Sequence, residues 1–397
     1  MEQFHNALDL IRSKQPTDPV FCLRPFAAER AARWFSLNFP GKIFYAVKAN
    51  PAPWLLEALA AGGITHFDVA SISEARMIRA RFPGATLGFM NPVKSSRAIA
   101  EAYHHLGIRI FALDSDSELD KITAATDGAT DLSLCVRLKV PGGYSNISLS
   151  EKFGVDRPHA ASLLQRARQT AENLGICFHV GSQAMSPAAY GQALDHVQRT
   201  IADAGVIIDI IDVGGGFPAP YPGMMPPPMA LYVQEIAGRF QSMLTTHDAE
   251  LWCEPGRALS AEAASQVVRV ESRKGNHLHI NDGIYGALYD AGMLGWNYPV
   301  RHLGQAPVDG ALTPFSFYGP TCDDADLMRG PFMLPDRMGE GDYIEIGMLG
   351  AYGAAMRSGF NGFDTHEEVL VADEQAFTMF PAAPASATLI QLQGEIK

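Results

Sequence analysis

The sequence predicts an α/β chain whose first two-thirds close into a (β/α)8 TIM barrel and whose remainder forms a mainly-β domain. Three observations predict this. Short apolar runs alternate with segments of helical spacing from residue 43 to residue 254, and the alternation repeats eight times. After residues 258–262 the pattern changes to β-branched runs broken by Gly and Pro. Eight strand–helix units close naturally into a parallel barrel jacketed by helices, and a doubly wound open sheet is the alternative.

The strand-like runs are residues 43–47, 66–70, 85–90, 108–113, 132–140, 176–180, 206–213 and 251–254. Helical spacing lies between them at 54–61, 73–81, 96–105 and 158–174. Strands are expected again at 266–270, 278–280, 343–346 and 369–372. The Pro-rich stretch 218–228 is too irregular for an element and reads as a long loop after the seventh strand, and 381–387 reads as a surface segment. The expected division is a barrel over 24–260, with 1–23 and 261–397 in the mainly-β domain.

With 397 residues, 47% of them hydrophobic, the chain can bury a large core. A formal net charge of −12 and a pI near 5.4 argue against nucleic-acid and anionic-membrane partners. The start of the chain is amphipathic and mixed in charge, unlike a secretory signal, and no run approaches a membrane span. Five scattered cysteines (Cys22, Cys135, Cys177, Cys253 and Cys322) form no CxxC pair and no metal-ligand spacing. The composition therefore leads us to expect a reduced cytoplasmic enzyme without metal.

Polar residues gather where the expected strands end. Lys48 ends the first, Ser71 follows the second and Arg137 lies in the fifth. His179 and Ser182 come with the sixth, Gly214, Gly215 and Gly216 follow the seventh, and Glu254 and Arg257 end the eighth. In a (β/α)8 barrel these ends meet at one mouth, where active sites are built. Each residue alone admits an ordinary reading. Lys48 could be a rim lysine with its head in water, the three glycines a tight turn, His179 a hydrogen-bonded core histidine, and Arg257 an ion-pair partner for Glu254. Together, a lysine, bare backbone N–H groups for a phosphate, an arginine and an acid form the set that a phosphorylated aldehyde cofactor needs. The glycines do not form a GxGxxG fingerprint, so a dinucleotide site is poorly supported.

Six motifs carry a family resemblance: FYAVKAN (44–50), HVGSQ (179–183), DVGGGFP (212–218), CEPGR (253–257), YGPTCDDAD (318–326) and GAY (350–352). In this order they resemble the fold-type III, alanine-racemase-like pyridoxal phosphate decarboxylases, the group of ornithine, lysine/ornithine and diaminopimelate decarboxylases. The resemblance implies a barrel with a C-terminal β domain, a head-to-tail homodimer and pyridoxal 5′-phosphate as cofactor. It implies that Lys48 forms the Schiff base and that Ser182, Gly214, Gly215, Gly216, Arg257 and Tyr352 hold the phosphate. It further implies that Glu254 meets the pyridine nitrogen, that His179 stacks on the ring, that Asp68 lies near Lys48, and that Arg137 lies near the cofactor. Cys322 and Asp323 would enter from the other subunit.

The chemistry explains why such groups are needed. Loss of CO2 leaves electrons on Cα, and a protonated ring nitrogen held by Glu254 strengthens the cofactor as their sink. Racemases of this fold place an arginine there, so Glu254 favours decarboxylation. Lys48 must lose its proton to be a nucleophile, and cationic neighbours are expected to lower its pKa. Cys322 is the candidate general acid that returns a proton to Cα; outside its motif it would read as an ordinary buried cysteine. A cationic far end on the substrate needs a carboxylate. Asp323 fits, with Asp290 as a second candidate, while Asp324 and Asp326 could simply open a helix. CDD replaces the CES type of diaminopimelate decarboxylases, which favours a diamino acid. Ornithine comes first, as for polyamine biosynthesis, followed by lysine and then a side-chain-modified ornithine of the siderophore type. An amino-acid racemase and a non-catalytic regulatory homologue are the readings from other classes.

Overall fold

The computed structural model describes residues 1–140, 145–147, 152–243, 248–304 and 312–381. Its centre is a closed barrel of parallel strands. They are β1 (Lys42–Ala46), β2 (His66–Val69), β3 (Thr86–Phe89), β4 (Ile110–Leu113), β5 (Ser133–Leu138), β6 (Asn173–Phe178), β7 (Ile210–Asp212) and β8 (Glu250–Cys253). β8 returns beside β1, pairing Trp252 with Lys42 and Cys253 with Ile43. Closure removes the open-sheet alternative.

The strands read as continuous apolar runs because both faces are covered. One face of each, with Ile43 and Tyr45 of β1, Phe67 and Val69 of β2, and Ile176 and Phe178 of β6, packs under the helices. The other face fills the barrel interior with Phe44, Met90, Ile110, Ala112, Cys135, Cys177, Ile210 and Trp252.

The helices start where the local chemistry supplies a cap. Ser71 Oγ accepts the Glu74 N–H at the head of Ile72–Arg81, and Ser95 and Ser115 do the same for Ser96–His104 and Asp116–Ala125. Pro25 and Pro53 occupy first-turn positions, where their missing N–H costs nothing. The expected helix over 158–174 is shorter, ending at Arg168. The Glu172 and Asn173 N–H groups both turn to Leu132 O, so this stretch is drawn into the barrel as β6. Apolar periodicity alone does not separate the end of a buried helix from the start of a buried strand.

The mainly-β part is one mixed sheet, and the long strand Ala264–Lys274 is its hub. That strand pairs with Val20–Leu23, His277–Ile280 and Tyr343–Ile346. Val20–Leu23 in turn carries Glu367–Val371 and then Gln3–Phe4, so the start of the chain is built into the sheet of its end. Arg24, 1% exposed, ties these parts together, with Nη2 lying 3.0 Å from Glu345 and 2.7 Å from Asp373. Asp326 does not open a helix as expected. It is buried and takes N–H groups from Ile284 and Thr321, and Leu327–Pro335 follows it as a strand. The stretch 218–228 forms no strand or helix. Of the expected surface segment 381–387, residues 382–387 lie outside the described residues. No helix among the described residues is long and apolar enough to cross a membrane.

Candidate active site

The residue period of two that fills the barrel interior also builds the site. Two residues beyond Cys135 stands Arg137, beyond Cys177 stands His179, beyond Ile210 stands Asp212, and beyond Trp252 stands Glu254. In β1 the same step leads through Ala46 to Lys48, on a short 3-10 turn. A cavity of about 520 Å³ opens at this end of the barrel. Lys48, Asp68, Arg137, His179, Ser182, Glu254, Arg257, Asp290 and Tyr352 all line it. Met90, Ile147, Phe153, Leu294 and Met356 supply apolar wall.

Lys48 lies at the floor of the cavity with 42% of its side chain open to it, and its Nζ donates to Asp68 Oδ2 at 2.8 Å. Burial works against the ammonium, but Asp68 and Glu254 outweigh it and hold Lys48 above the usual lysine range. The expected lowering by cationic neighbours is therefore corrected: acids are the dominant neighbours here. The turn that carries Lys48 is stapled to the Tyr352 loop. Asn50 Nδ2 donates to Gly350 O at 2.8 Å, and Tyr352 N donates to Ala49 O at 2.8 Å. Tyr352 itself has φ +55°, a left-handed conformation that a tyrosine adopts only when its surroundings impose it.

Arg257 and Asp290 form a buried ion pair, with Nη2 to Oδ2 at 3.1 Å. Arg257 Nη1 donates to the Tyr221 hydroxyl at 3.2 Å, and the guanidinium lies against the rings of Trp296 and Tyr352. Its Nε is buried without a hydrogen-bond partner among the described residues. Burial pushes the Asp290 carboxyl up, and Arg257 opposes this. Asp290 is thus engaged with Arg257, which weakens it as a receiver of a substrate ammonium.

Gly214, Gly215 and Gly216 turn behind His179. Gly214 has φ +66°, and a Cβ there would fall 2.0 Å from Phe178 O; a Cβ on Gly215 would come within 3.0 Å of His179 Nε2. The turn therefore exists in this form only with glycine. His179 Nδ1 accepts the Gly181 N–H at 3.0 Å, which leaves the hydrogen on Nε2. Burial, then Arg137 and Lys48, press its pKa well below the ordinary value, so the imidazole is neutral.

Cys322 and Asp323 stand apart from this cavity. They line a separate one of about 470 Å³ together with His277, His279 and Tyr318. Asn361 Oδ1 takes the Cys322 N–H at 3.1 Å and lies 3.2 Å from Sγ. The Tyr285 hydroxyl donates to Asp323 and holds its carboxyl below the usual range.

Further participants lie outside the expected set. Asp212 was legible, because it continues the inward period of β7. Tyr221 and Trp296 lie in loops without periodicity, and nothing in the sequence pairs them with Arg257. Asn361 likewise has no local signal linking it to Cys322, 39 residues away.

The donor set fits a phosphorylated aldehyde cofactor. It combines a lysine, a flat neutral imidazole, a buried acid, a glycine turn, and an arginine whose Nε is orphaned. Comparison with known proteins agrees. Residues 27–261 match the family model described as pyridoxal-dependent decarboxylase, pyridoxal binding domain. The chain is 33% identical to the lysine/ornithine decarboxylase of Selenomonas ruminantium over 344 residues, 84% of each protein. It is 31% identical to the diaminopimelate decarboxylase of Pseudomonas fluorescens, over 86% of this chain and 83% of that one. Among solved structures, SrLDC in complex with PLP and cadaverine matches with a TM-score of 0.79 at 30% identity, covering 94% of this chain and 95% of that chain.

Proposed function

Since this chain belongs to the pyridoxal-dependent decarboxylases and takes pyridoxal phosphate as its cofactor, we propose that it converts L-ornithine to putrescine. The broader activity is decarboxylation of a basic amino acid. Pyridoxal phosphate, when bound, supplies the sink for the electron pair that CO2 leaves behind.

The chain's own residues divide the remaining tasks. Lys48 would hold the aldehyde carbon. Ser182, Gly214, Gly215, Gly216, Arg257 and Tyr352 would hold the phosphate, Glu254 the ring nitrogen, and His179 the ring face. Asp68, 2.8 Å from Lys48 Nζ, is placed to take the proton that Lys48 must lose. Arg137, with Lys152 near it across Phe153, makes one wall cationic, suited to the substrate carboxylate.

The observation that carries the substrate reading is the outward presentation of Cys322 and Asp323 in a cavity separate from the one that holds Lys48 of their own chain. A second copy meeting this chain would bring a thiol as proton donor and an ionised carboxylate for the substrate's far ammonium, giving a homodimer with shared sites. Residues 24–260 would then be the cofactor-holding barrel, with 1–23 and 261–397 as the domain that serves the partner. L-lysine is the second reading, because Met90, Leu294 and Met356 leave flexible apolar wall for one more methylene.

A CO2-release panel of ornithine, lysine, arginine, diaminopimelate and side-chain-acylated ornithines tests the proposal. Ornithine is expected to give the highest kcat/KM. A clear preference for another member would replace ornithine, and turnover of none would end the reading.

A further inference from the structure

Asp212 has a place in the site but no assigned task. It ends β7 in register with Trp252 of β8 and Cys177 of β6, so its carboxyl enters the barrel beside Glu254. It is fully buried. Its Oδ1 accepts the Gly214 N–H at 2.8 Å, while Oδ2 is buried with no hydrogen-bond partner among the described residues. The same turn secures Glu254, whose N–H donates to Gly214 O at 2.8 Å. The two carboxyls lie within hydrogen-bonding reach of each other.

Two carboxylate anions have no hydrogen to put between them. They would repel, and Oδ2 would stay desolvated and unpaired. The charged and titratable groups facing the pair are Lys48 from the turn after β1, Asp68 from β2, Cys135 and Arg137 from β5, Cys177 from β6 and Cys253 from β8. Lys48 donates its hydrogen bond to Asp68 while its charge also faces Glu254, and Arg137 is the second cation among them. One added proton removes both difficulties at once.

Resting on the reading that Glu254 meets the ring nitrogen, we propose that Asp212 is a positioning residue. It shares the single proton of an Asp212–Glu254 carboxyl pair, and the hydrogen bond this makes between the two carboxyls fixes the Glu254 side chain. The pair then bears one negative charge, matched to one protonated ring nitrogen, and the other Glu254 oxygen is left for the cavity. Burial raises both carboxyls above the ordinary carboxylate range, Glu254 the further because Asp212 adds to it, in keeping with one proton retained between them.

Asp212→Asn separates a protonated carboxyl from an anion, because the amide can donate to Glu254 while its oxygen still accepts from Gly214. Cofactor affinity and turnover are expected within about threefold of the parent for Asp212→Asn, and at least about tenfold weaker in cofactor affinity for Asp212→Ala with an unchanged circular dichroism spectrum. Equal damage from both substitutions, or none from Asp212→Ala, overturns the proposal. Infrared difference spectra of the cofactor-free protein at neutral pH give a reading independent of activity. The parent should show the carbonyl stretch of a protonated carboxyl that Asp212→Asn lacks, and its absence overturns the proposal even if Asp212→Ala fails to fold. Glu254→Gln checks the underlying reading. If the infrared band is present but Glu254→Gln binds cofactor and turns over like the parent, the ring-nitrogen role fails and takes the positioning role with it.

Discussion

At Lys48, Glu254, His179 and Cys322, neighbours decide what each side chain can do. Asp68 and Glu254 keep Lys48 charged in the cofactor-free protein, so its nucleophilic form appears only when the proton passes to an acceptor such as Asp68. His179 is neutral, since burial and two cations disfavour its charged form, and it offers a ring face rather than a proton. Cys322 is exposed, and Asn361 sets the direction of its thiol. Replacing Cys322 with Ala is expected to lower turnover by about 10²–10⁴-fold, the usual contribution of a positioned acid or base, while the visible absorbance of the bound cofactor stays as in the parent. Stopped-flow turnover beside an absorbance titration measures both, and turnover within twofold of the parent would remove Cys322 as the proton donor. The residue types at these positions were legible in the sequence because catalysis admits few alternatives to them. Their protonation was not, because it depends on charges brought from other strands, as the reversal at Lys48 shows.

At the scale of elements, the barrel turns a two-residue period into a site. Every strand that fills the interior with an apolar residue places its next inward residue at the mouth, which is how Arg137, His179, Asp212 and Glu254 converge. The turn after β7 is the most demanding of these joints. Gly214→Ala would require φ +66° at a residue with a Cβ that meets Phe178 O at 2.0 Å. A stability loss of about 3 kcal/mol or more is expected from backbone strain together with the clash. Urea unfolding of the cofactor-free variant measures it, and a midpoint equal to the parent's would show that the turn can rearrange freely. Strand positions were readable from apolar runs, whereas several boundaries were not. The stretch 169–175 joins a turn and β6 because Leu132 O captures its N–H groups, a contact with no local signature. The place of Asp326 is decided in a similar way, since the N–H groups that it accepts come from Ile284 and Thr321.

The whole molecule combines a barrel that holds the cofactor with a sheet that presents Cys322 and Asp323 elsewhere. The sheet joins Gln3–Phe4 and Val20–Leu23 to strands between residues 264 and 371, and Arg24 ties these parts together through Glu345 and Asp373. If two copies complete each other's sites, then Lys48→Ala and Cys322→Ala variants, each inactive alone, should regain activity on mixing. Random reassortment of a dimer gives one intact site in each heterodimer, or about a quarter of parental activity. Mixing at equal concentrations followed by a CO2-release assay tests this. No recovery, with subunit exchange verified by mass, would mean that each chain supplies its own proton donor.

The sequence by itself determined the eight-fold strand–helix order, the mainly-β character of the remainder, the cofactor, and the residue types at most strand ends, because these follow from periodicity and from chemistry with few substitutes. Tertiary structure alone decided that Asp290 faces Arg257, that Asp212 lies against Glu254, that Lys48 is held charged by acids, and that Cys322 lies outside its own chain's cavity. Each depends on residues distant in sequence brought within hydrogen-bonding range, where burial strengthens every charge and every missing partner.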